Sequence, residues 1–420
     1  MTPRPTARQL AWQRLELGLF FHVGINTFFD AEWSDGTLPA AAFDPTELDA
    51  DQWVRTARDV GAGYVVLTAK HHDGFCLWPT ATTLYSVASS PWRGGRGDVV
   101  AEVAEACRRY GVGMGVYLSP WDRNADCYAD PEAYDDFYCE QLTELCTGYG
   151  PLTEIWFDGA GSTGRSYGWD RIMAVVREHQ PDAMVFNMGA PTIRWVGNED
   201  GLAADPVSYV VNRTELTAYD DAVASLGGEV WLPPECDVSL RRGWFWSEAD
   251  GPKTVEHLLA IWYRSVGMGA NLLLNVPPDR RGLLDDADVA RLREWRAELD
   301  RRFGSPVAAL VEPLGDGRWR AAFDGDVRFD HVVLTEDYNA AQRVTGHRVL
   351  VDDRVVAAGM TIGERRIHAI GSRVAFQLVV ELVGDGAVLA GVEVYDTGGA
   401  TVPEVPYLAA TTEPDVVGAS

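Results

Sequence analysis

The segment Glu154-Ile155-Trp156-Phe157-Asp158-Gly159 ends an apolar run in a carboxylate beside a glycine. On a strand, residues two apart point to one side, so Trp156 and Asp158 share a face. An aromatic wall next to a carboxylate suits a sugar ring, whose C–H faces pack on flat apolar surfaces. Alone, Asp158 equally fits a cap on the following loop. A second segment, Thr68-Ala69-Lys70-His71-His72-Asp73-Gly74-Phe75, sets two histidines and an aspartate past another apolar run. Read as metal ligands they suggest zinc or iron. Adjacent side chains on extended backbone diverge, however, and no third His or Cys stands at a matching spacing. The other reading is a pair of neutral imidazoles, donor on one nitrogen and acceptor on the other, that grip neighbouring hydroxyls. Near the start, His22 closes Phe20-Phe21-His22-Val23-Gly24, and Glu32-Trp33 follow shortly after. His22 alone fits a satisfied core histidine, and Glu32 a solvated loop residue. The recurrence of such groups after several apolar runs favours one shared site.

The elements that must position these residues alternate. Short runs rich in β-branched and aromatic residues predict strands at 17–25, 64–69, 113–119, 154–158, 184–187, 230–233 and 271–276. Between them, 45–60 carries Leu48, Trp53, Ala57 and Val60 about one helical turn apart, and 98–110 opens on the N-cap residue Asp98. Further helices are predicted at 134–149, 169–179, 252–267 and 285–303. Repeated β/α units with polar residues at strand C-terminal ends predict an α/β (β/α)8-type TIM barrel over 1–304. From 305 to 420 the texture changes to short alternating runs between Gly and Asp turns, predicting a C-terminal all-β sandwich. The tail from 401 has few anchors beyond Tyr407 and is expected to be partly disordered.

Composition narrows the partners. A formal net charge of -26 on 420 residues would repel a phosphate backbone or an anionic lipid surface, so neither nucleic acid nor membrane is expected to bind. The 15 Trp, 15 Tyr and 14 Phe are compatible with a neutral, sugar-like substrate, although most must be core. Cysteines 76, 107, 127, 139, 146 and 236 lack metal-type spacing, so no structural zinc and no disulfide framework are expected. The first residues lack the apolar stretch and cleavage site of a secretory signal, pointing to a cytoplasmic location. The sequence leaves the oligomeric state open.

Taken in order, FFHVG, AEW, TAKHHDGF, IWFDG and NLLLNVPPDRRGLL resemble the α-L-fucosidases of glycoside hydrolase family 29, over about residues 10 to 285. The resemblance implies Asp158 as nucleophile of a retaining exo-α-L-fucosidase that uses no cofactor and no metal. It further implies that His22, Glu32, Trp33, His71, His72, Tyr117 and Trp156 line a fucose pocket. The segments Ile193-Arg194-Trp195-Val196-Gly197-Asn198-Glu199, Trp231-Leu232-Pro233-Pro234-Glu235-Cys236-Asp237 and Arg241-Arg242-Gly243-Trp244-Phe245 resemble the branch selective for α-1,3 and α-1,4 linkages. That branch implies Glu199 as general acid/base, with Glu235 as the competing candidate, and a fucosylated, Lewis-type oligosaccharide as substrate. The alternatives are a broad α-L-fucosidase acting on aryl fucosides and α-1,2 linkages, or a carbohydrate-binding protein that has lost catalysis. The C-terminal unit looks like the discoidin-type sandwiches appended to many such enzymes.

Overall fold

The computed structural model describes residues 3–161, 163–217, 222–404 and 416–417. Of the tail from 401, residues 401–404 and 416–417 are described, and Tyr407 lies outside the described residues. Eight parallel strands, Leu17–Phe21, Tyr64–Lys70, Gly113–Leu118, Glu154–Trp156, Met184–Phe186, Arg194–Trp195, Pro234–Ser239 and Asn271–Asn275, pair in chain order, and the last pairs the first. The fifth and sixth strands meet only through a bridge between Phe186 and Ile193, so the barrel is nearly closed.

Alternation along each strand sorts side chains into two layers. Leu17, Leu19, Phe21, Val65, Leu67, Val116, Ile155, Val185, Leu272 and Leu274 point outward into the apolar shell under the helices. Phe20, Tyr64, Val66, Tyr117, Trp156, Met184, Phe186, Trp195 and Leu273 point inward and fill the barrel. Carboxylate caps start several helices: Asp49 accepts from Gln52 N at 3.0 Å, Asp98 from Ala101 N at 2.8 Å and Asp285 from Ala287 N at 2.9 Å. Among the described residues no helix is long and apolar enough to cross a membrane, and all six cysteines are free thiols.

The strand predicted at 230–233 needs correction. Residues Val223–Trp231 belong to an antiparallel hairpin with Val210–Glu215, and the barrel strand begins after it, at Pro234. A Pro-Pro pair reads as a stop, yet proline is tolerated as the first residue of a strand, where its missing N–H breaks no ladder bond. The sixth strand, of two residues, was not anticipated; it is too short to carry a periodic signal. The first strand ends at Phe21, before the predicted 25, and a short helix, Ile25–Phe29, follows.

The C-terminal unit is antiparallel throughout. The runs expected at 318–323 and 331–334 are one long strand, Arg318–Glu336, paired with Arg366–Val383 through two register shifts. These bulges carry both strands from one half of the sheet to the other, so that Ala321, Leu378 and Val349 pack in one core with Phe329, Leu334 and Val394. Against the barrel, Tyr263 Oη meets His331 Nε2 at 2.7 Å, Tyr209 Oη donates to Gly269 O at 2.6 Å while accepting from Glu364 N at 3.0 Å, and Arg365 pairs with Glu16 at 2.6 Å.

Candidate active site

At the C-terminal ends of the barrel strands lies a cavity of about 580 Å³, counting the space at its mouth. Asp158, two residues beyond the fourth strand, stands on its wall on the same face as Trp156. Its Oδ2 accepts the Tyr117 hydroxyl at 2.8 Å, and its Oδ1 accepts Ala160 N–H at 2.8 Å. His72 Nε2 is 3.6 Å from Oδ2. The carboxylate is thus oriented by neutral donors on both oxygens and remains partly open to the cavity.

Each histidine is buried, and burial lowers the proton affinity of each, that of His22 to about 3. They are therefore neutral imidazoles at physiological pH, and the hydrogen bonds fix two tautomers. Asn275 donates through Nδ2 to Trp244 O (2.8 Å) and Ser239 Oγ (2.9 Å), so its Oδ1 must accept from His22 Nδ1 at 2.9 Å. Ser119 Oγ donates to Trp121 O at 2.6 Å and so accepts from His72 Nδ1 at 2.7 Å. In both rings Nε2 is left as an acceptor, suited to a hydroxyl proton of a ligand in the cavity. His71 also lines the cavity, with its Nδ1 buried and unpartnered, 3.9 Å from Asp73 Oδ2. Among the described residues no group of three or more His, Cys, Asp or Glu is placed to hold a metal ion.

Glu199 reaches the same cavity from the loop after the sixth strand, and Trp244 Nε1 donates to its Oε2 at 3.2 Å. Burial, and then the nearby Asp158 charge, push its carboxyl up to about 7. Glu235 does not reach the cavity. The later start of the seventh strand places it near the beginning of that strand, facing the barrel interior, where it accepts from Tyr64 Oη and from Trp156 Nε1 (3.1 Å). Of the remaining predicted pocket residues, Trp33, Tyr117 and Trp156 line the cavity. Glu32 is turned to the loop that carries Trp244, accepting Trp244 N at 2.7 Å and Phe245 N at 3.3 Å over Gly243, where a Cβ would come within 2.0 Å of its Oε1.

Sequence reasoning assigned no role to Asp237, Asn187, Trp195, Trp244 or Asn275. Asp237 is inward-facing on the seventh strand, held by Trp195 Nε1 at 2.6 Å, and burial lifts its carboxyl well above the ordinary range. Asn187 adopts φ 61° at the end of the fifth strand and accepts Trp195 N at 3.1 Å. The signal available for Asp237 and Asn275 was a polar residue alternating with apolar ones along a buried strand, which is costly unless paired or used.

The loop behind His72 is held by a buried ion pair. Lys70 Nζ donates to Asp122 Oδ2 at 2.8 Å and Gln141 Oε1 at 2.9 Å, among the rings of Tyr134, Phe137 and Tyr138. Asp122 in turn caps Asn124 N and Ala125 N. Lys70→Met leaves that carboxylate buried without its cation, and a stability loss of about 3 to 5 kcal/mol is expected. Thermal or denaturant unfolding measures it, and a loss below about 1 kcal/mol would contradict the role.

The α-L-fucosidase family model matches residues 27–299. Alpha-L-fucosidase 1 of Arabidopsis thaliana is 45% identical over 314 residues, a match that takes in 73% of this chain but only 62% of that relative's length. A glycoside hydrolase 29 family member from an unknown rumen bacterium superposes with a TM-score of 0.86 at 32% identity, covering 95% of this chain and 78% of that one. A Ruminococcus gnavus glycoside hydrolase family 29 fucosidase in complex with fucose gives 0.83 at 27% identity over 96% of each chain. With most of its length matched in this way, the chain belongs to the α-L-fucosidase family, glycoside hydrolase family 29.

Proposed function

We propose that the protein is a retaining exo-α-L-fucosidase that removes terminal α-1,3- or α-1,4-linked fucose from branched, Lewis-type oligosaccharides. The observation that carries this reading is the placement of two unlike carboxyl groups in one cavity. Asp158 is oriented by the Tyr117 hydroxyl and an amide, and Glu199 is pushed up to about 7 by burial. Opposed environments of this kind assign acid and nucleophile roles. Asp158 attacks the anomeric carbon while the Glu199 proton passes to the departing glycosidic oxygen. The C–O bond breaks, and a fucosyl ester forms on Asp158. Glu199, now a carboxylate, takes a proton from water as that water attacks the anomeric carbon; the bond from that carbon to the Asp158 oxygen breaks, releasing fucose and free Asp158. Neutral His22, His71 and His72 face the hydroxyls, and Trp33 offers an apolar face to the ring.

The linkage preference rests on the resemblance of the segments at 193–199, 231–237 and 241–245, two of which bring Glu199 and Trp244 to the cavity. Release of fucose from a Lewis-type trisaccharide at a higher kcat/KM than from an α-1,2-linked disaccharide or an aryl fucoside is the expected result. Faster cleavage of the last two would overturn the linkage assignment. Inertness on all three would overturn the enzyme assignment in favour of a carbohydrate-binding protein.

A pH prediction follows from the indole on Glu199. The Trp244 N–H stabilises the ionised carboxylate and so lowers its proton affinity. Glu199 acts as an acid only when protonated, so turnover falls on the alkaline side as pH rises through about 7. Trp244→Phe is expected to shift the alkaline limb of kcat/KM to higher pH; a shift to lower pH would contradict the contact.

A further inference from the structure

Below the cavity floor the barrel interior holds a second pair of carboxyl groups, Glu154 and Glu235, which the scheme above does not use. Both are fully buried, and the Trp12 and Tyr64 rings that donate to them stand 6.2 Å apart, so the two carboxyl groups are close neighbours inside the barrel. Glu235 accepts Tyr64 Oη on one oxygen and Trp156 Nε1 on the other, at 3.1 Å. Glu154 accepts Trp12 Nε1 on Oε2 at 3.1 Å, and no donor faces its Oε1. Space for the group is made by glycines: a Cβ at Gly18 would sit 2.5 Å from the Tyr64 ring, and one at Gly115 3.2 Å from Glu154 Cβ.

Two carboxylates this close in a dry interior cannot both be ionised. Burial and the neighbouring Glu235 charge hold Glu154 well above the ordinary carboxylate range. The donors decide where the proton sits. An ionised carboxylate accepts only, and both oxygens of Glu235 already receive donors, whereas Glu154 has one oxygen facing none. We propose that Glu154 is a carboxylic acid whose Oε1–H donates to Glu235, and that the Glu235 carboxylate so fixed is the positioning residue that sets Trp156 beneath the nucleophile. The coupling is short: Trp156 stacks between Phe186 (centroids 3.9 Å apart, 11°) and Tyr117 (5.3 Å, 26°), and Tyr117 Oη donates to Asp158 at 2.8 Å. The consequence for rate rests on the proposed fucosidase reading; the protonation state does not.

Infrared difference spectra at pH 8 between the wild-type protein and Glu154→Gln test the proton directly. A protonated carboxyl C=O band lost in the variant is expected, and its absence overturns the proposal whether or not the protein cleaves fucosides. Kinetics test the positioning. Glu154→Gln keeps an N–H donor toward Glu235 and should leave kcat on an aryl fucoside nearly unchanged. Glu154→Leu removes the donor, and Glu235→Gln sets an amide N–H against Trp156 or Tyr64; each should lower kcat by about tenfold or more with KM changed less. A Glu154→Gln variant as impaired as Glu154→Leu, or a fully active Glu235→Gln variant, overturns the positioning role. Near-UV circular dichroism checks that each variant is folded; if Glu154→Leu is not, the band and Glu154→Gln decide. Wild-type inactivity on every fucoside would instead refute the proposed function.

Discussion

Asp158→Ala is expected to lower turnover by about 10⁴-fold or more, on aryl fucosides as much as on oligosaccharides, because on the proposed mechanism it removes the group that forms the glycosyl ester. The loss should be nearly independent of leaving group, since the missing step is bond formation at carbon rather than proton transfer to oxygen. Stability should change little, by about 1 kcal/mol. The side chain is 22% exposed and its two partners, Tyr117 Oη and Ala160 N, stand at the wet end of the barrel. Steady-state kinetics beside a thermal melt separate the two effects. Turnover within tenfold of wild type would refute the nucleophile assignment.

The second large effect depends on substrate. Glu199→Ala should cost about 10² to 10⁴-fold on a sugar leaving group, which needs a proton, and far less on an aryl fucoside, whose phenolate departs without one. The alkaline limb near pH 7 should vanish with the carboxyl that causes it. Equal losses on both substrate types, or an unchanged limb, would assign the acid elsewhere. Glu235 is poorly placed to take over: it is spent on Tyr64 and Trp156 inside the barrel.

That contrast between two glutamates marks how far the sequence could be read. Local periodicity was enough to place Asp158 beside Trp156, and to set His22 and the His71–His72 pair at strand ends, because each inference needs only one strand and the two-residue repeat. The barrel followed from many such units. Glu235 follows the strand expected at 230–233, but the barrel strand starts at Pro234, and moving a start by a few residues moves a carboxylate from rim to interior. Asn275 and Asp237 were beyond reach for a different reason. Their work is done across strands, on His22 and Trp195, and pairings of residues 253 and 42 positions apart are set by register and closure rather than by local pattern. The tautomers of His22 and His72 likewise depend on which group the partner Asn or Ser donates to, a property of the assembled site alone.

The most direct test of the retaining assignment is proton NMR of the first sugar released, recorded before mutarotation mixes the anomers. With a Lewis-type trisaccharide or a reactive aryl fucoside, α-L-fucose is expected first, by two displacements at the same carbon through Asp158. β-L-Fucose appearing first would mean a single displacement by water and would contradict the role given to Asp158.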